Sequence, residues 1–374
     1  MRAVFFILLF AVTLASAQDQ PHRPHKDDSP AKQESRQALD KQIAAKFAPV
    51  FYQGLGDNPR SDYITNFDFD GDWKGDNNWR NLDERSFPLR AYIYYSVTET
   101  ATHYFVHYAF FHPRDYKSGL AKTTIVDTLL GEGLRRASKD PPGGLANEIA
   151  MSHENDLEGC LVVAEKRGDK LTATVQFVET MAHNRFLKYC PREARSAACE
   201  PIQMEGERPL IFVEPRGHGP SRYTGDRQQL KKSISGVLVY RYTGSAEIHP
   251  EARGKNIGYD LIPIYDTFWV RAQKGEDETF GESFDYGART LLKPHAGTAP
   301  EKIEQKLGVL GSAFRGEVGS KNKARPPWAW FDTRERDRLR GEWFFDPAAV
   351  IARHFNLRDG FSLAYVYNPY FEVR

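Results

Sequence analysis

The stretch "SHENDLEGCLVVAEK" (residues 152–166) places three side chains that can bind metal directly before an apolar run. Asp156 and Glu158 are two residues apart, so in a β-strand their side chains leave the same face, which Cys160 and Val162 continue. On a helix the same two carboxylates would point about 200° apart. The pattern therefore favours a strand that begins with a pair of carboxylates and then enters the core.

Ionised carboxylates on a buried face need a cation, a basic partner or protonation, because an unpaired charge is costly to bury. His153 precedes Asp156 by an odd offset, so it would have to reach the same point from the turn before the strand. One imidazole with several carboxylates is an oxygen-rich ligand set, which suits Ca²⁺, Mg²⁺ or Mn²⁺ better than Zn²⁺. Surface salt bridges and caps stay open as the alternative interpretation, because the spacing alone is not specific.

Strand-forming segments rich in Val, Ile, Tyr, Phe and Thr recur along the chain, and helical patterns are fewer. The predicted strands are 89–97, 103–111, 160–165, 171–178, 210–214, 236–243, 266–272 and 362–367. The predicted helices are 34–47, 124–137, 300–307 and 346–354. Because the strands outnumber the helices and do not alternate with them, we expect a mostly β protein, an antiparallel β-sandwich with peripheral helices and a helical insertion.

The start of the chain has the pattern of a secretory signal peptide over residues 1–17, with a basic Arg2, an apolar run and a small-residue cleavage site. Residues 18–33 contain no aromatic or branched aliphatic side chain, so we expect a flexible leader. We expect residues 34–374 to form a single β-sandwich domain with an insertion at about 117–150. No later segment is long and apolar enough for a transmembrane helix, so we expect a secreted or extracytoplasmic protein.

The composition argues against several function classes. The chain has 51 basic and 50 acidic residues, a net charge of +1, and no dense basic cluster, so nucleic acid is not an expected partner. It contains no Gly-x-Ser-x-Gly elbow, no His-Glu-x-x-His and no phosphate-binding loop. The sequence does not indicate an oligomeric state.

The three cysteines of an exported chain leave one unpaired after a single disulfide. Cys190 and Cys199 flank a polar loop, so we expect them to form the disulfide. Cys160 lies inside an apolar run and is expected to be a buried thiol.

A second, weaker metal candidate lies in "NFDFDGDWKGDNNW" (residues 66–79). Asp68, Asp70 and Asp72 match the first three ligands of an EF-hand loop. Tryptophan, however, occupies the sixth position, where glycine is needed, and the twelfth, where a bidentate glutamate is needed. A tight turn with side-chain-to-backbone hydrogen bonds is favoured over an irregular Ca²⁺ site.

Two motifs resemble those of the necrosis- and ethylene-inducing peptide-like proteins and of the related vacuolar-sorting-type β-sandwich domains. "HYAFFHPRDY" (residues 107–116) is similar to their strand Tyr-Ala-Trp-Tyr-Phe-Pro-Lys-Asp. "SHENDLEG" matches three of the seven positions of their signature Gly-His-Arg-His-Asp-Trp-Glu. "FVEPRGHGPSRY" is similar to a later strand and "GSHA" element. The matching positions are Tyr108, Ala109, Pro113, Asp115, His153, Asp156, Glu158, Gly217 and His218.

The resemblance implies a β-sandwich in which Asp115, His153, Asp156 and Glu158 surround one divalent cation, with Ca²⁺ or Mg²⁺ favoured. It also implies a toxin-like, secreted protein that recognises a glycolipid headgroup or a glycan. Two alternatives stay open. The protein could be a metal-dependent hydrolase in which His218 or His153 is the general base, or a structural protein in which the cation only pins loops. Whether the protein is an enzyme, and what its ligand or host target is, do not follow from the sequence.

Overall fold

The computed structural model describes residues 30–374 except 117–151, 169–170, 193–197, 232, 251–255, 298, 320–322, 336–337, 372 and 374. The predicted signal peptide, residues 18–29 of the leader, the insertion and the predicted helix 124–137 lie outside the described residues. The part that is described is mostly β, with few helices, and the single domain stays a prediction.

The described residues form many short strands and a few helices. The strands are β1 (Val50–Leu55), β2 (Tyr92–Thr100), β3 (His103–Asp115), β4 (His153–Lys166), β5 (Ala173–Ala182), β6 (Arg185–Pro191), β7 (Glu200–Ile202), β8 (Met204–Glu205), β9 (Arg208–Val213), β10 (Pro220–Arg222), β11 (Gly236–Tyr242), β12 (Asn256–Pro263), β13 (Phe280–Asp285), β14 (Ala288–Lys293), β15 (Glu301–Lys306), β16 (Val309–Phe314) and β17 (Tyr365–Tyr367). The helices are α1 (Pro30–Phe47), α2 (Asn78–Asn81), α3 (Arg227–Leu230), α4 (Val270–Ala272), α5 (Glu342–Phe345) and α6 (Pro347–His354). A π-helical segment covers Tyr265–Trp269, and 3₁₀ segments cover Pro59–Asp62, Pro327–Ala329, Thr333–Glu335 and Pro369–Phe371.

Most strands pair in one large sheet, in the order β10-β9-β1-β11-β12-β2-β3-β4-β5-β6-β7. β3 pairs antiparallel with β2 and β4, but β1 with β9, β11 with β12 and β12 with β2 are parallel. The predicted antiparallel direction is therefore wrong for these pairs, because the chain returns to the sheet through long connections, which permit parallel neighbours. The edge strand β10 lies against β5, where the Thr180 hydroxyl donates to the Pro220 carbonyl at 2.8 Å. The sheet thus nearly closes into a barrel-like shape.

Both faces of the central strands are buried, in two separate hydrophobic clusters. Tyr108 and Phe110 of β3 join the cluster that contains α1, whereas Ala109 and Phe111 join the other. Aromatic residues from the C-terminal part of the chain complete this second cluster, including Trp328, Trp330, Trp343, Phe344 and Phe345. Burial on both faces explains why residues 104–111 of β3 are apolar or aromatic at every position except His107, instead of alternating with polar residues.

The helix α1 begins at Pro30, so residues 30–33 of the predicted leader are helical. Near its other end, the fully buried Tyr108 hydroxyl donates to the Ala44 carbonyl at 2.6 Å. Ala44 is one of the last four residues of α1, whose carbonyls have no partner within the helix. The tyrosine therefore satisfies a helix terminus that the sheet buries.

Two segments differ from the predicted secondary structure. The predicted strand 266–272 is helical, and it buries Phe268, Trp269 and Ala272 at helical spacing. The predicted helix 300–307 is instead β15, which pairs antiparallel with β14. In both places tertiary packing or strand pairing overrides the intrinsic preference of the residues.

We predict that Tyr108→Phe lowers the free energy of unfolding by about 1–3 kcal/mol, because it leaves the buried Ala44 carbonyl without its donor. Tyr52→Phe is the matched control, since the half-buried Tyr52 ring stacks on Tyr223 and is not the donor to the Ala44 carbonyl. Urea denaturation of both variants measures the difference. Equal stability of Tyr108→Phe and the wild type would contradict this function of Tyr108.

Candidate metal-binding site

The pairing of β3 with β4 brings the predicted ligands together. Asp115 lies opposite His153, and His112 lies opposite Asp156. Asp115, His153, Asp156 and Glu158 are all buried and all line one pocket of about 50 Å³. The His153 Nε2 atom lies 3.6 Å from the Asp115 Oδ2 atom.

Asn155 explains how His153 reaches this pocket in spite of its odd offset from Asp156. Asn155 has a positive φ of 55°, which interrupts the regular alternation of the strand. Its buried side chain accepts a hydrogen bond from Asn78 and donates to the carbonyls of Gly75 and Arg315, each at 2.7 Å. These three bonds hold the irregular backbone in place.

His218 lies between two buried aspartates. Its Nδ1 atom is 2.8 Å from Asp156 Oδ2, and its Nε2 atom is 3.2 Å from Asp62 Oδ1. It follows β9 with a φ of 49°, a strained conformation for a residue other than glycine. Asp62, at the end of the 3₁₀ segment Pro59–Asp62, also accepts hydrogen bonds from the backbone amides of Gly56 at 2.7 Å and Arg216 at 2.6 Å. The turn and the two carboxylates therefore jointly fix the position of the His218 imidazole.

These bonds set the protonation of His218. Burial lowers its pKa, but the hydrogen bonds and charges of Asp156 and Asp62 outweigh burial and raise the pKa to about 9. His218 is thus an imidazolium at neutral pH. A protonated ring with both nitrogens bound to carboxylates cannot accept a proton as a general base.

His112 stacks on His218, with the ring centroids 3.6 Å apart and the planes at 5°. Its Nε2 atom is 3.0 Å from the Oε1 atom of Gln53, whereas its buried Nδ1 atom has no hydrogen-bond partner among the described residues. Burial lowers the pKa of His112, and the charge of His218 lowers it further. His112 is therefore neutral and offers a lone pair on Nδ1.

One group in the described part of the chain brings ligand atoms within 4.8 Å of one another: His112, Asp156 and His218. Such a group could hold a metal ion, although His218 would first have to leave a carboxylate. Of the four predicted ligands, Asp156 alone belongs to this tighter group. The three carboxylates of the pocket and the imidazole of His153 nevertheless have the donor chemistry that suits a hard divalent cation.

Two basic side chains also line the pocket, Lys323 and Arg325. Lys323 is only 5% exposed. Burial lowers the pKa of His153, and the Lys323 charge lowers it further, although Asp115 and Asp156 act in the opposite direction. The ammonium group therefore lies close enough to compete with a bound cation.

The second metal candidate forms turns. The backbone amide of Asp72 donates to Asp70 Oδ1 at 3.3 Å, and that of Lys74 donates to Asp72 Oδ1 at 2.8 Å. Asn66 donates to Asp68 at 2.9 Å. These are side-chain bonds of the kind expected for a tight turn, and the irregular Ca²⁺ site stays an untested, weaker alternative.

The cysteines are placed as the sequence suggests. Cys190 and Cys199 form a disulfide with their Cα atoms 5.8 Å apart. Cys160 is a free, buried thiol whose pKa is raised by burial.

Sequence reasoning missed Asp62 and His112. His112 stood inside the quoted motif, and its position opposite Asp156 was hidden because the insertion conceals the register of β3 and β4. Asp62 carries no local signal, since its role depends on the remote turn before β10.

No protein-family model matches this chain, and comparison with curated proteins finds no match. Solved structures do match at a distance. One is "NLPPya in complex with mannosamine", 15% identical over 60% of this chain and 72% of that one, with a TM-score of 0.28. Another is a non-toxic protein, HaNLP3, 14% identical over 60% and 74%, with a TM-score of 0.28.

A third is necrosis- and ethylene-inducing protein 2 from the causal agent of cocoa's witches' broom disease, 16% identical over 48% and 67%, with a TM-score of 0.26. The chain is thus distantly similar in structure to the family whose motifs it resembles. Among the described residues, no helix is long and apolar enough to cross a membrane.

We predict that His218→Gln destabilises the protein most below pH 6.5. A pKa raised from 6.5 to about 9 contributes stability that is complete below pH 6.5 and is lost between pH 6.5 and 9. The difference in unfolding free energy between wild type and variant should shrink by roughly 3 kcal/mol over that interval. Urea denaturation in metal-free buffer measures it, with exposed His295→Gln as the control. A difference that does not change with pH would show that the two aspartates do not hold an imidazolium.

Proposed function

We propose that this protein is a secreted β-sandwich protein that binds a divalent cation and recognises a polar ligand, a glycan or a glycolipid headgroup, at the cation. The ligands of the cation are Asp115, His153, Asp156 and Glu158. One observation carries the proposal: these side chains converge, buried, on a single pocket of about 50 Å³.

Electrostatics support a cation in this pocket. Three carboxylates that share a small, buried volume repel one another, and a hard divalent cation offsets that repulsion while it accepts their oxygens. The bond from His218 to Asp156 fixes the orientation of that carboxylate, as groups behind a metal ligand commonly do. The oxygen-rich set favours Ca²⁺ or Mg²⁺ over Zn²⁺.

The ligand class follows from the cation and from the motif resemblance. Both cations commonly keep water among their ligands, and sugar hydroxyls can replace that water. The signal-peptide pattern and the disulfide fit an oxidising, extracytoplasmic compartment.

The hydrolase hypothesis gains no support, because neither ring nitrogen of His218 is available as a base. His153 as the base stays an untested alternative. A purely structural cation would stabilise the protein without recognising a sugar or lipid. Binding of a sugar or lipid at the cation therefore distinguishes the proposed function from a structural role of the metal.

We predict that removing divalent cations lowers the melting temperature and that Ca²⁺ or Mg²⁺ restores it. The stabilisation should reach about 2.7 kcal/mol at a hundredfold excess over Kd. Glu158→Gln should abolish this response, because it removes a ligand charge with little change in volume. Asp72→Asn, at the weaker candidate, should keep it. Differential scanning calorimetry gives the comparison, and identical melting with and without metal would contradict the site.

We predict metal-dependent binding of an amino sugar, measured by isothermal titration calorimetry. Glucosamine and mannosamine are suitable probes, because NLPPya has been solved in complex with each. Binding should occur with Ca²⁺ or Mg²⁺ and disappear in Glu158→Gln. If the protein binds the cation but no sugar or lipid on a broad glycan and lipid array, the proposed ligand recognition is wrong. The metal would then have only a structural role.

We predict that Lys323→Gln tightens cation binding at least tenfold, which corresponds to about 1.4 kcal/mol. The substitution removes a buried positive charge that competes with the cation for the same carboxylates. Lys74→Gln, with the same charge change at an exposed position, should leave the Kd unchanged. Weaker cation binding by Lys323→Gln would show that the lysine supports the site instead of opposing it.

A further inference from the structure

A larger cavity of about 290 Å³ lies next to the metal pocket and shares two wall residues with it, Arg325 and Trp330. We call it the arginine pocket. Its charged lining residues are Arg325, Arg338, Arg340, Arg353, Asp332, Glu335 and Glu342. The part of the chain that follows β16, through the end of α6, supplies these residues, and the metal proposal does not use the cavity.

Each acid of the arginine pocket already has a basic partner. Arg334, outside the lining, donates from Nε to Asp332 at 2.9 Å. Glu335 lies 2.7 Å from the ring of His354. The Nη2 atom of Arg353 lies 3.3 Å from Glu335 and 3.0 Å from Glu342. The acids of the lining are therefore neutralised locally, and none of these described residues forms an ion pair with Arg338 or Arg340.

Arg338 and Arg340 form no ion pair with any described residue. The Nε atom of Arg340 is buried without a hydrogen-bond partner, and its guanidinium lies 4.5 Å from the centre of the Phe284 ring. Burial lowers the pKa of Arg340; Tyr286 and Glu282 partly offset this, but the like charge of Arg325 adds to it. The guanidinium groups of Arg325 and Arg340 thus line the same concave, partly dehydrated surface. Their repulsion is an electrostatic cost to the protein when no anion is bound.

We propose that the arginine pocket binds the oxyanion group, a phosphate or a carboxylate, of a small molecule. An oxyanion offsets the like-charge repulsion between Arg325 and Arg340 and can accept paired hydrogen bonds from a planar guanidinium. The cavity volume suits a ligand of about the size of one sugar or a short organic acid. This binding does not require the proposed cation, since none of the four proposed cation ligands lines the cavity.

Isothermal titration calorimetry in metal-depleted buffer tests the proposal with inorganic phosphate, glucose 6-phosphate, gluconate and neutral glucose. The wild type should bind at least one anion at millimolar concentration or below and should not bind glucose. Arg340→Gln should weaken anion binding at least tenfold. Arg358→Gln, an exposed arginine of the same C-terminal segment, is the matched control and should bind like the wild type.

The relative affinities for the anions show whether the site takes a phosphate or a carboxylate. A phosphate site should prefer glucose 6-phosphate, and a carboxylate site should prefer gluconate. Since Arg340 is partly buried, exposed Arg338→Gln provides a second variant, for which threefold or greater weakening is expected if Arg340→Gln does not fold. Glu158→Gln should keep anion binding, so failure of the metal site does not affect this result. Absence of binding by all three anions, or equal affinity of the arginine variants and the wild type, would overturn the proposal.

Discussion

Four carboxylates, from Asp62, Asp115, Asp156 and Glu158, lie buried at one end of the central strands, and the protein must neutralise them there. Unpaired ions in a medium of low polarity cost several kcal/mol each. The turn before β10 and the positive φ of His218 serve this requirement, because they place a charged imidazole between Asp62 and Asp156. The local geometry is thus set by charge, whereas the surrounding sheet is set by apolar packing.

Neutralisation is divided between fixed and exchangeable charges. His218 is held between Asp62 and Asp156 and acts as a fixed cation. Asp115, Glu158 and His153 share their pocket with Lys323, whose ammonium offers one internal positive charge. A divalent cation brings two charges and several coordination positions to the same place. In the proposed function, a divalent cation would compete with the Lys323 ammonium for these carboxylates, and its remaining coordination positions would be where an outside ligand binds.

Much of the central strand pair could be predicted from residues alone. The two-residue spacing of Asp156 and Glu158 before an apolar run correctly indicated a strand whose face continues into the core through Cys160. The parallel pairs of the sheet could not be predicted, since they depend on which distant segments become neighbours. The strand β15 was mistaken for a helix because its polar residues favour helices when they are isolated from the β14 partner.

The site was predictable only in part, for the same reason. His153, Asp156 and Glu158 are local in sequence and were identified, whereas His112 becomes significant only through cross-strand register. Asp62 and Lys323 are remote from the motif, so their contribution to the charge of the site needs the folded chain. The spacing of ligands within one strand can be predicted from the local sequence, but the net charge of the pocket depends on residues that only the fold brings together.

The most direct test is anomalous diffraction from crystals of the mature protein soaked in Mn²⁺. Divalent-cation binding by the acidic pocket predicts a single strong anomalous peak within coordination distance of the carboxylates of Asp115, Asp156 and Glu158, and no such peak in Glu158→Gln crystals. A pocket without a peak, in which the Lys323 ammonium binds the three carboxylates, would contradict it.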